Sequence, residues 1–146
     1  MGLLRFRKHP EDILMLPRQS TAMEAMELMV EDGSAAVLVS PGKRKLEGIF
    51  TERDAMIKIA ATSIDPTHVT LADVMNSDVI TIAEDSTLDA AIHCMQLHQI
   101  SHLPIVRNKD EILGMITIRH LLHDKIKDLV EELNNLEAYL NDAPGG

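Results

Sequence analysis

The chain has 146 residues, of which 45% are hydrophobic and 25% charged, a composition typical of a soluble globular protein with one compact core. Its 23 acidic residues outnumber its 14 basic ones, and the formal net charge of -9 would repel a nucleic-acid backbone. Aromatic residues make up only 2% of the chain, so the stacking surfaces that hold unpaired bases are missing as well. Composition therefore disfavours nucleic acid as a partner.

The N-terminus and the cysteine content indicate a cytoplasmic protein. The single cysteine, Cys94, has no partner for an internal disulfide, and residues 1–10 contain no apolar run long enough for a secretory signal. No segment approaches the roughly 18 consecutive apolar residues of a membrane-spanning helix. We therefore expect a reducing compartment and no membrane partner, with the basic residues Arg5, Arg7 and Lys8 on a mobile, solvated N-terminal arm.

The first structured unit is expected to begin at residue 11. Ser20–Thr21 provides a helix N-cap, and Ala22, Met26 and Met29 follow at the i, i+4, i+7 spacing of one buried helical face. A second helix is predicted to begin at Thr51. Three apolar segments predict the strands between these features, namely DILML at 12–16, AAVLVS at 35–40 and LEGIF at 46–50. The unit thus has the order β-α-β-β-α.

The same unit recurs after an offset of 66 residues, which carries GIFTERD at 48–54 onto GMITIRH at 114–120 without a gap. The matched positions are Ser20–Thr21 with Ser86–Thr87, Ala25 with Ala91, Met29 with Met95, Gly48 with Gly114, Thr51 with Thr117, and Arg53 with Arg119. The second buried stripe is predicted to be Leu88, Ile92 and Met95, and the strands DVITI, HLPIVR and ILGMI. The chain therefore divides into an arm at 1–10, repeats at 11–60 and 77–127, a connector at 61–76 and a tail at 128–146. Because each repeat is too small to bury its own apolar surface, the two are expected to pack together.

The segment from Gly48 to Asp54 carries the clearest chemical signal. Thr51 stands where a strand ends and a helix begins, so its hydroxyl can cap the helix, while the free N–H groups and the helix dipole favour a nearby phosphate. Asp54 offers two acceptor oxygens, which match the two adjacent hydroxyl groups of a ribose. The same Thr-x-x-Asp pattern is also that of a capping box, and in that interpretation it only starts a helix.

Together these features resemble a tandem pair of cystathionine-beta-synthase (CBS) domains, the Bateman module, over about residues 11–127. GIFTERD fits the family's Gly, apolar, any, Thr/Ser, any, any, Asp signature in full, and LADVMNSDVITI and SHLPIV resemble its connector and its central strand. The resemblance implies an α+β fold in which two β-α-β-β-α repeats pack with pseudo-twofold symmetry, here with a C-terminal helical extension. It also implies a non-catalytic regulatory protein that senses an adenosine-containing ligand.

The resemblance further implies two ligand sites, each formed by the signature of one repeat and the first two strands of the other. The first site would comprise Thr51, Arg53, Asp54, Ile80, Thr81, Ser101, His102, Leu103 and Pro104. The second would comprise Met15, Ala36, Thr117, Arg119 and His120. His120 replaces the ribose-binding Asp, and Met15 replaces the equivalent of Thr81. Because a neutral imidazole offers one acceptor in place of two charged oxygens, the second site is expected to be degenerate, leaving one ligand per chain.

The expected ligand is an adenine nucleotide, AMP, ADP or ATP, with S-adenosylmethionine or NAD less favoured. No metal is expected, because His93, Cys94, His98 and His102 lack the spacing of a common ligand set. No catalysis is expected either, since the chain has no nucleophile elbow, no Walker-type phosphate loop and no His-Glu-x-x-His segment.

The tail carries the spacing of a coiled coil. Its seam, spaced 4, 3, 4, 3, 4, is Leu122, Ile126, Leu129, Leu133, Leu136 and Leu140. The first turn is expected to cover the second sheet, and the rest to pair with the same helix of a second chain in a homodimer, until NDAPGG ends it. The alternative is a constitutive structural module whose tail docks an effector protein, without nucleotide sensing.

Overall fold

The computed structural model describes residues 2–141. Its first repeat contains β1 (Met15–Leu16), α1 (Ala22–Asp32), β2 (Ala36–Val39), β3 (Gly48–Thr51) and α2 (Glu52–Asp54), which continues as a π-helix over Ala55–Ala60. The connector contributes α3 (Leu71–Val74). The second repeat contains β4 (Ile82–Ala83), α4 (Leu88–His98), β5 (His102–Arg107), β6 (Glu111–Thr117) and α5 (Ile118–Asn141). The α+β order predicted from the sequence is confirmed, including the C-terminal helix.

The hydrogen-bond registers of the two sheets repeat with the offset seen in the sequence. In each sheet the first strand is parallel to the second, and the second is antiparallel to the third. Ala36 pairs with Thr51 in the first sheet, and His102 pairs with Thr117 in the second. Each of these pairs is related to the other by 66 residues, so equivalent side chains occupy equivalent places in the two halves.

Three apolar clusters form the core. One lies within each repeat, around Phe50 in the first and around Ile105 in the second. The third lies between the repeats and joins residues of both halves, which are Ile13, Ala36, Leu38, Ile49, Ile112 and Met115. This shared cluster buries the surface that each small repeat would expose alone, as the sequence predicts.

In both α1 and α4 the middle residue of the buried face lies one position before the predicted one. The fully buried residues are Ala22, Ala25 and Met29 on α1 and Ala91 and Met95 on α4. Met26, Leu88 and Ile92, which were predicted to be buried, are only half-buried. The small side chains Ala25 and Ala91 are fully buried, while the larger Met26 lines a surface cleft.

The N-terminal arm is ordered, and the prediction of a mobile, solvated segment is wrong. Leu3 is fully buried in the cluster of the second repeat, beside the half-buried Phe6. Lys8 pairs with Met115 of β6 through two backbone hydrogen bonds of 2.8 and 3.1 Å. The apolar residues flanking the charges provide the reason, because they complete the core of a repeat that lies about 100 residues away in sequence.

The two signature glycines accommodate this arm and the connector. A Cβ atom at Gly114 would lie 2.9 Å from the Lys8 carbonyl oxygen, and one at Gly48 would lie 3.1 Å from the Asn76 carbonyl oxygen. The backbone bridges Lys8–Met115 and Asn76–Ile49 are therefore equivalent contacts in the two halves. Glycine at these positions allows a neighbouring segment to approach each sheet closely.

The tail continues the second helix of the second repeat without a break. Leu121 is the half-buried residue of its first turn that packs against the second core, whereas Leu122 is exposed. The six seam residues, from Leu122 to Leu140, are each between 50% and 63% exposed in the isolated chain. The predicted helix end at NDAPGG falls mostly on residues 142–146, outside the described residues.

Candidate functional site

Two cavities lie between the repeats, one beside each signature. The smaller, of about 290 Å³, lies at Thr51 and Asp54. The larger, of about 1040 Å³, lies at Thr117 and His120. They are separated by a shared wall, whose residues line both cavities and are Ala35, Glu52, Ser101 and His102.

Asp54 and Thr51 form a closed capping box at the start of α2. The Thr51 N–H and hydroxyl donate to Asp54 Oδ2 over 3.0 and 3.1 Å, and the Asp54 N–H donates to Thr51 Oγ1 over 3.2 Å. Asp54 Oδ1 lies 3.7 Å from Lys58 Nζ, one turn further along. Oδ2 thus accepts two hydrogen bonds within the chain, and Oδ1 retains acceptor capacity for another group.

The connector repeats the motif away from both of these cavities. The Thr70 N–H and hydroxyl donate to Asp73 Oδ2 over 3.1 and 3.0 Å at the start of α3. Neither residue lines either of the two cavities. A Thr-x-x-Asp capping box is therefore not by itself a binding site, and the cavity is what distinguishes Asp54 from Asp73.

The structure brings together most of the residues expected at the first site. Those lining the smaller cavity are Thr51, Arg53, Asp54, Ile80, Ser101 and His102. The other three are not at its surface, because Leu103 and Pro104 are buried in the second repeat and Thr81 is half-buried outside the lining. The apolar lining of this cavity is formed by Ile49, Val79, Ile80 and Ile100, of which only Ile80 was expected at the site.

At the second site Ala36, Thr117, Arg119 and His120 line the larger cavity, while Met15 packs into the cluster between the repeats. The His120 N–H donates to Thr117 Oγ1 over 3.0 Å, so the helix start is kept although the return acceptor is lost. His120 Nε2 lies 3.5 Å from Asp124, and Arg119 Nη1 donates to the Gly33 carbonyl oxygen over 2.9 Å. Arg119 thus connects the second signature to the end of α1.

His102 lies at the junction of the two cavities, with Nδ1 3.1 Å from Ser101 Oγ. Burial lowers the pKa of its imidazole; the Glu52 carboxylate opposes this shift and the Lys8 ammonium reinforces it. A neutral imidazole presents one donor and one acceptor to a ligand. The shared wall is therefore polar without carrying a fixed positive charge at His102.

The lowered pKa of His102 has a consequence for stability. In the unfolded chain a histidine titrates near its ordinary pKa of about 6.5, so the unfolded state takes up the proton first and the folded state loses stability as the pH falls below that value. When the pH is lowered from about 7.5 to about 5.5, the free energy of unfolding should therefore fall less in His102→Gln than in the native protein. Urea unfolding of both proteins at each pH measures this difference, and an identical pH dependence would contradict it.

Several lining residues were missed by the sequence reasoning. His98 and Gln99, at the end of α4, line the smaller cavity, and Lys8 of the arm lines the larger one together with His123 of α5. Gln99 adopts the left-handed conformation that ends α4, with φ of 53°. The position of Lys8 depends on the long-range docking of the arm, for which the local sequence carries no signal.

Among residues 2–141 no group of three or more His, Cys, Asp or Glu side chains is arranged to hold a metal ion. Nor is any helix within this range both long and apolar enough to cross a membrane.

Comparison with known proteins agrees with this architecture. A model of the CBS domain family matches residues 9–61 and 71–127. The uncharacterized protein MK0525 of Methanopyrus kandleri is 31% identical over 132 residues, which cover 88% of this chain and 67% of that protein. The mitochondrial CBS domain-containing protein CBSX3 of Arabidopsis thaliana is 29% identical over 82% of this chain, which spans 60% of that relative.

Solved structures share the fold. A putative acetoin utilization protein, AcuB, of Vibrio cholerae superposes with a TM-score of 0.79 at 25% identity, over 90% of this chain and 96% of that one. A CBS domain protein of Pyrobaculum aerophilum, PAE2072, in complex with AMP, superposes with a TM-score of 0.72 at 21% identity, over 83% and 90% of the two chains. Because the identity is 21%, the similarity to PAE2072 is evidence for the fold alone.

Proposed function

The chain belongs to the CBS domain family, and from that premise we propose that it is a non-catalytic regulatory protein that binds an adenine nucleotide in the cavity at Asp54. The observation that carries the proposal is that six of the residues expected at this site line one cavity. No local feature of the sequence requires these six residues to lie together. The AMP complex of the Pyrobaculum aerophilum protein supports the choice of ligand class.

The cavity suits a nucleoside in size and lining. Its volume of about 290 Å³ lies just below the roughly 300–1,000 Å³ common for small-molecule sites. Val79, Ile80 and Ile100 offer apolar atoms to a base, while Asp54 lies on the opposite repeat. A nucleotide bound here would touch both repeats, so binding would favour one relative arrangement of the halves over others.

The ribose contact requires one local rearrangement. Asp54 Oδ1 can accept one ribose hydroxyl directly, but Oδ2 already accepts from the Thr51 N–H and hydroxyl. A bidentate contact with both ribose hydroxyls forms when the Thr51 hydroxyl turns away from Oδ2. That hydroxyl still accepts the Asp54 N–H, so the helix start survives ligand binding.

Calorimetric titration with AMP, ADP, ATP, NAD and S-adenosylmethionine tests the proposal. We expect about one ligand per chain, with the adenine nucleotides binding more tightly than NAD or S-adenosylmethionine. Absence of binding to all five ligands would contradict nucleotide sensing.

A constitutive interaction module is the second candidate, and the closed capping box favours it, because Thr51 and Asp54 already satisfy each other without a ligand. In this case the exposed seam of α5 would hold a homodimer or dock an effector, and the cavities would be structural. The titration separates the two candidates, since only the interaction module is expected to remain a dimer and bind none of the five ligands.

Under both candidates we propose a homodimer in the cytoplasm. The single, half-buried cysteine is in keeping with that compartment.

A further inference from the structure

The residues along the seam of α5 indicate how two copies of this helix would be oriented if they paired. The apolar residues occupy the a positions Ile126, Leu133 and Leu140 and the d positions Leu122, Leu129 and Leu136 of a heptad. Each is at least half exposed on a continuous helix, and Val130, outside the seam, is also 50% exposed. A second copy of the same helix covers such a seam, and the residues flanking it decide whether that copy runs parallel or antiparallel.

A parallel pair places unfavourable neighbours along the seam. In that orientation each g position faces the e position of the other helix in the next heptad. Glu132 of each copy would then face Glu137 of the other, giving two like-charge contacts, and the apolar Val130 would face Lys125. Like charges in such contacts destabilise the pair and so disfavour this orientation.

An antiparallel pair resolves most of these conflicts in one register. Centring the two helices on Glu131 pairs every seam residue, because Leu122 meets Leu140, Ile126 meets Leu136, and Leu129 meets Leu133. The e positions then face one another, so Val130 packs against Val130 of the second copy at the twofold axis. His123 meets Glu137 of the second copy twice, and the single like-charge contact left is Glu132 with its own equivalent.

We propose that α5 forms an antiparallel coiled coil with a second copy of this chain, centred on Glu131. This inference rests on the homodimer included in the proposed function and specifies its geometry. It accounts for Val130, an apolar residue that is 50% exposed in the isolated chain. It also brings Glu137 of the second copy to His123, at the rim of the larger cavity.

Distances between spin labels test the orientation. The full chain carrying Cys94→Ala is labelled at Glu131→Cys or at Ala138→Cys, two exposed positions seven residues apart on the same face of the helix. In the antiparallel pair the two labels at 131 are level, whereas those at 138 are offset by fourteen residues, about 21 Å along the axis. We expect a longer distance from 138 than from 131; equal distances, or no defined distance, would overturn the proposal.

A charge reversal at Glu137 tests the orientation independently, because it should weaken an antiparallel dimer and strengthen a parallel one. Glu137→Lys removes the contacts with His123 in the antiparallel pair, but in a parallel pair it would replace Glu–Glu repulsion by attraction to Glu132. Sedimentation should show a dimer dissociation constant raised about twofold or more, and a tighter dimer would contradict the antiparallel orientation. Both measurements are made without nucleotide, so a failure here leaves the titration result unaffected. A monomeric native protein would overturn this inference together with the proposed homodimer, but not the proposed nucleotide binding.

Discussion

Replacing Asp54 by alanine is expected to reduce the affinity for an adenine nucleotide by roughly tenfold to a hundredfold or more. Hydrogen bonds to a charged group contribute roughly 1.5–3 kcal/mol, and each 1.4 kcal/mol corresponds to about tenfold in affinity. The variant loses the acceptor that faces the smaller cavity and also the acceptor for the Thr51 hydroxyl. Calorimetric titration of Asp54→Ala beside the native protein measures the loss.

Asp73→Ala is the matched control for this variant. Asp73 accepts the same two hydrogen bonds from Thr70 that Asp54 accepts from Thr51, but it lines neither of the two cavities. Both variants should lower the free energy of unfolding by roughly 1 kcal/mol, and only Asp54→Ala should affect binding. His120→Ala should leave the affinity almost unchanged, so equal losses from Asp54→Ala and His120→Ala would contradict a single site at Asp54.

Replacing Leu3 by alanine is expected to lower the free energy of unfolding by about 2–3 kcal/mol. A buried leucine replaced by alanine typically costs about 2–5 kcal/mol, and the lower part of that range applies because the arm can detach instead of leaving a cavity. Leu3 is fully buried against the core of the second repeat. Urea denaturation monitored by circular dichroism measures the change.

Leu97→Ala is the control for this effect, since the same substitution is made at a leucine that is 67% exposed. Its expected change in stability is within about 0.5 kcal/mol. If Leu3→Ala were as mild as Leu97→Ala, the N-terminal arm would not be a component of the second core.

The repeat and the order of elements could be predicted from sequence because they depend on local signals. Ser20–Thr21 and Thr51 lie at helix starts, and the 66-residue offset reappears in the register of the residue pairs that the two sheets share. The docking of Leu3 could not be predicted, because a short apolar segment beside basic residues carries no periodicity. Leu3 is buried against residues such as Met95 and Ile116, which are far from it in sequence and come together only once the repeat has folded.

The candidate site was predictable in its centre and less so in its walls. Thr51 and Asp54 follow from the motif, but Leu103 and Pro104 were expected at the ligand and are buried within β5 instead. Leu103 and Pro104 are adjacent on β5 and so lie on opposite faces of the sheet, and both faces are buried at this point of the strand, which leaves neither side chain at the cavity. The larger volume of the cavity beside the degenerate signature could not be predicted, because it depends on how α1 and α5 pack at the surface.

Comparison of AMP with its 2′,3′-dideoxy analogue, on the native protein and on Asp54→Ala, tests most directly whether Asp54 holds a ribose. If Asp54 binds the two hydroxyl groups, the analogue should bind the native protein at least about tenfold more weakly than AMP. The two ligands should then bind Asp54→Ala with similar affinities, because the contact is already lost. If the native protein bound both ligands equally, a ribose site at Asp54 would be contradicted. The same conclusion would follow if Asp54→Ala preferred AMP over the analogue by the same factor as the native protein.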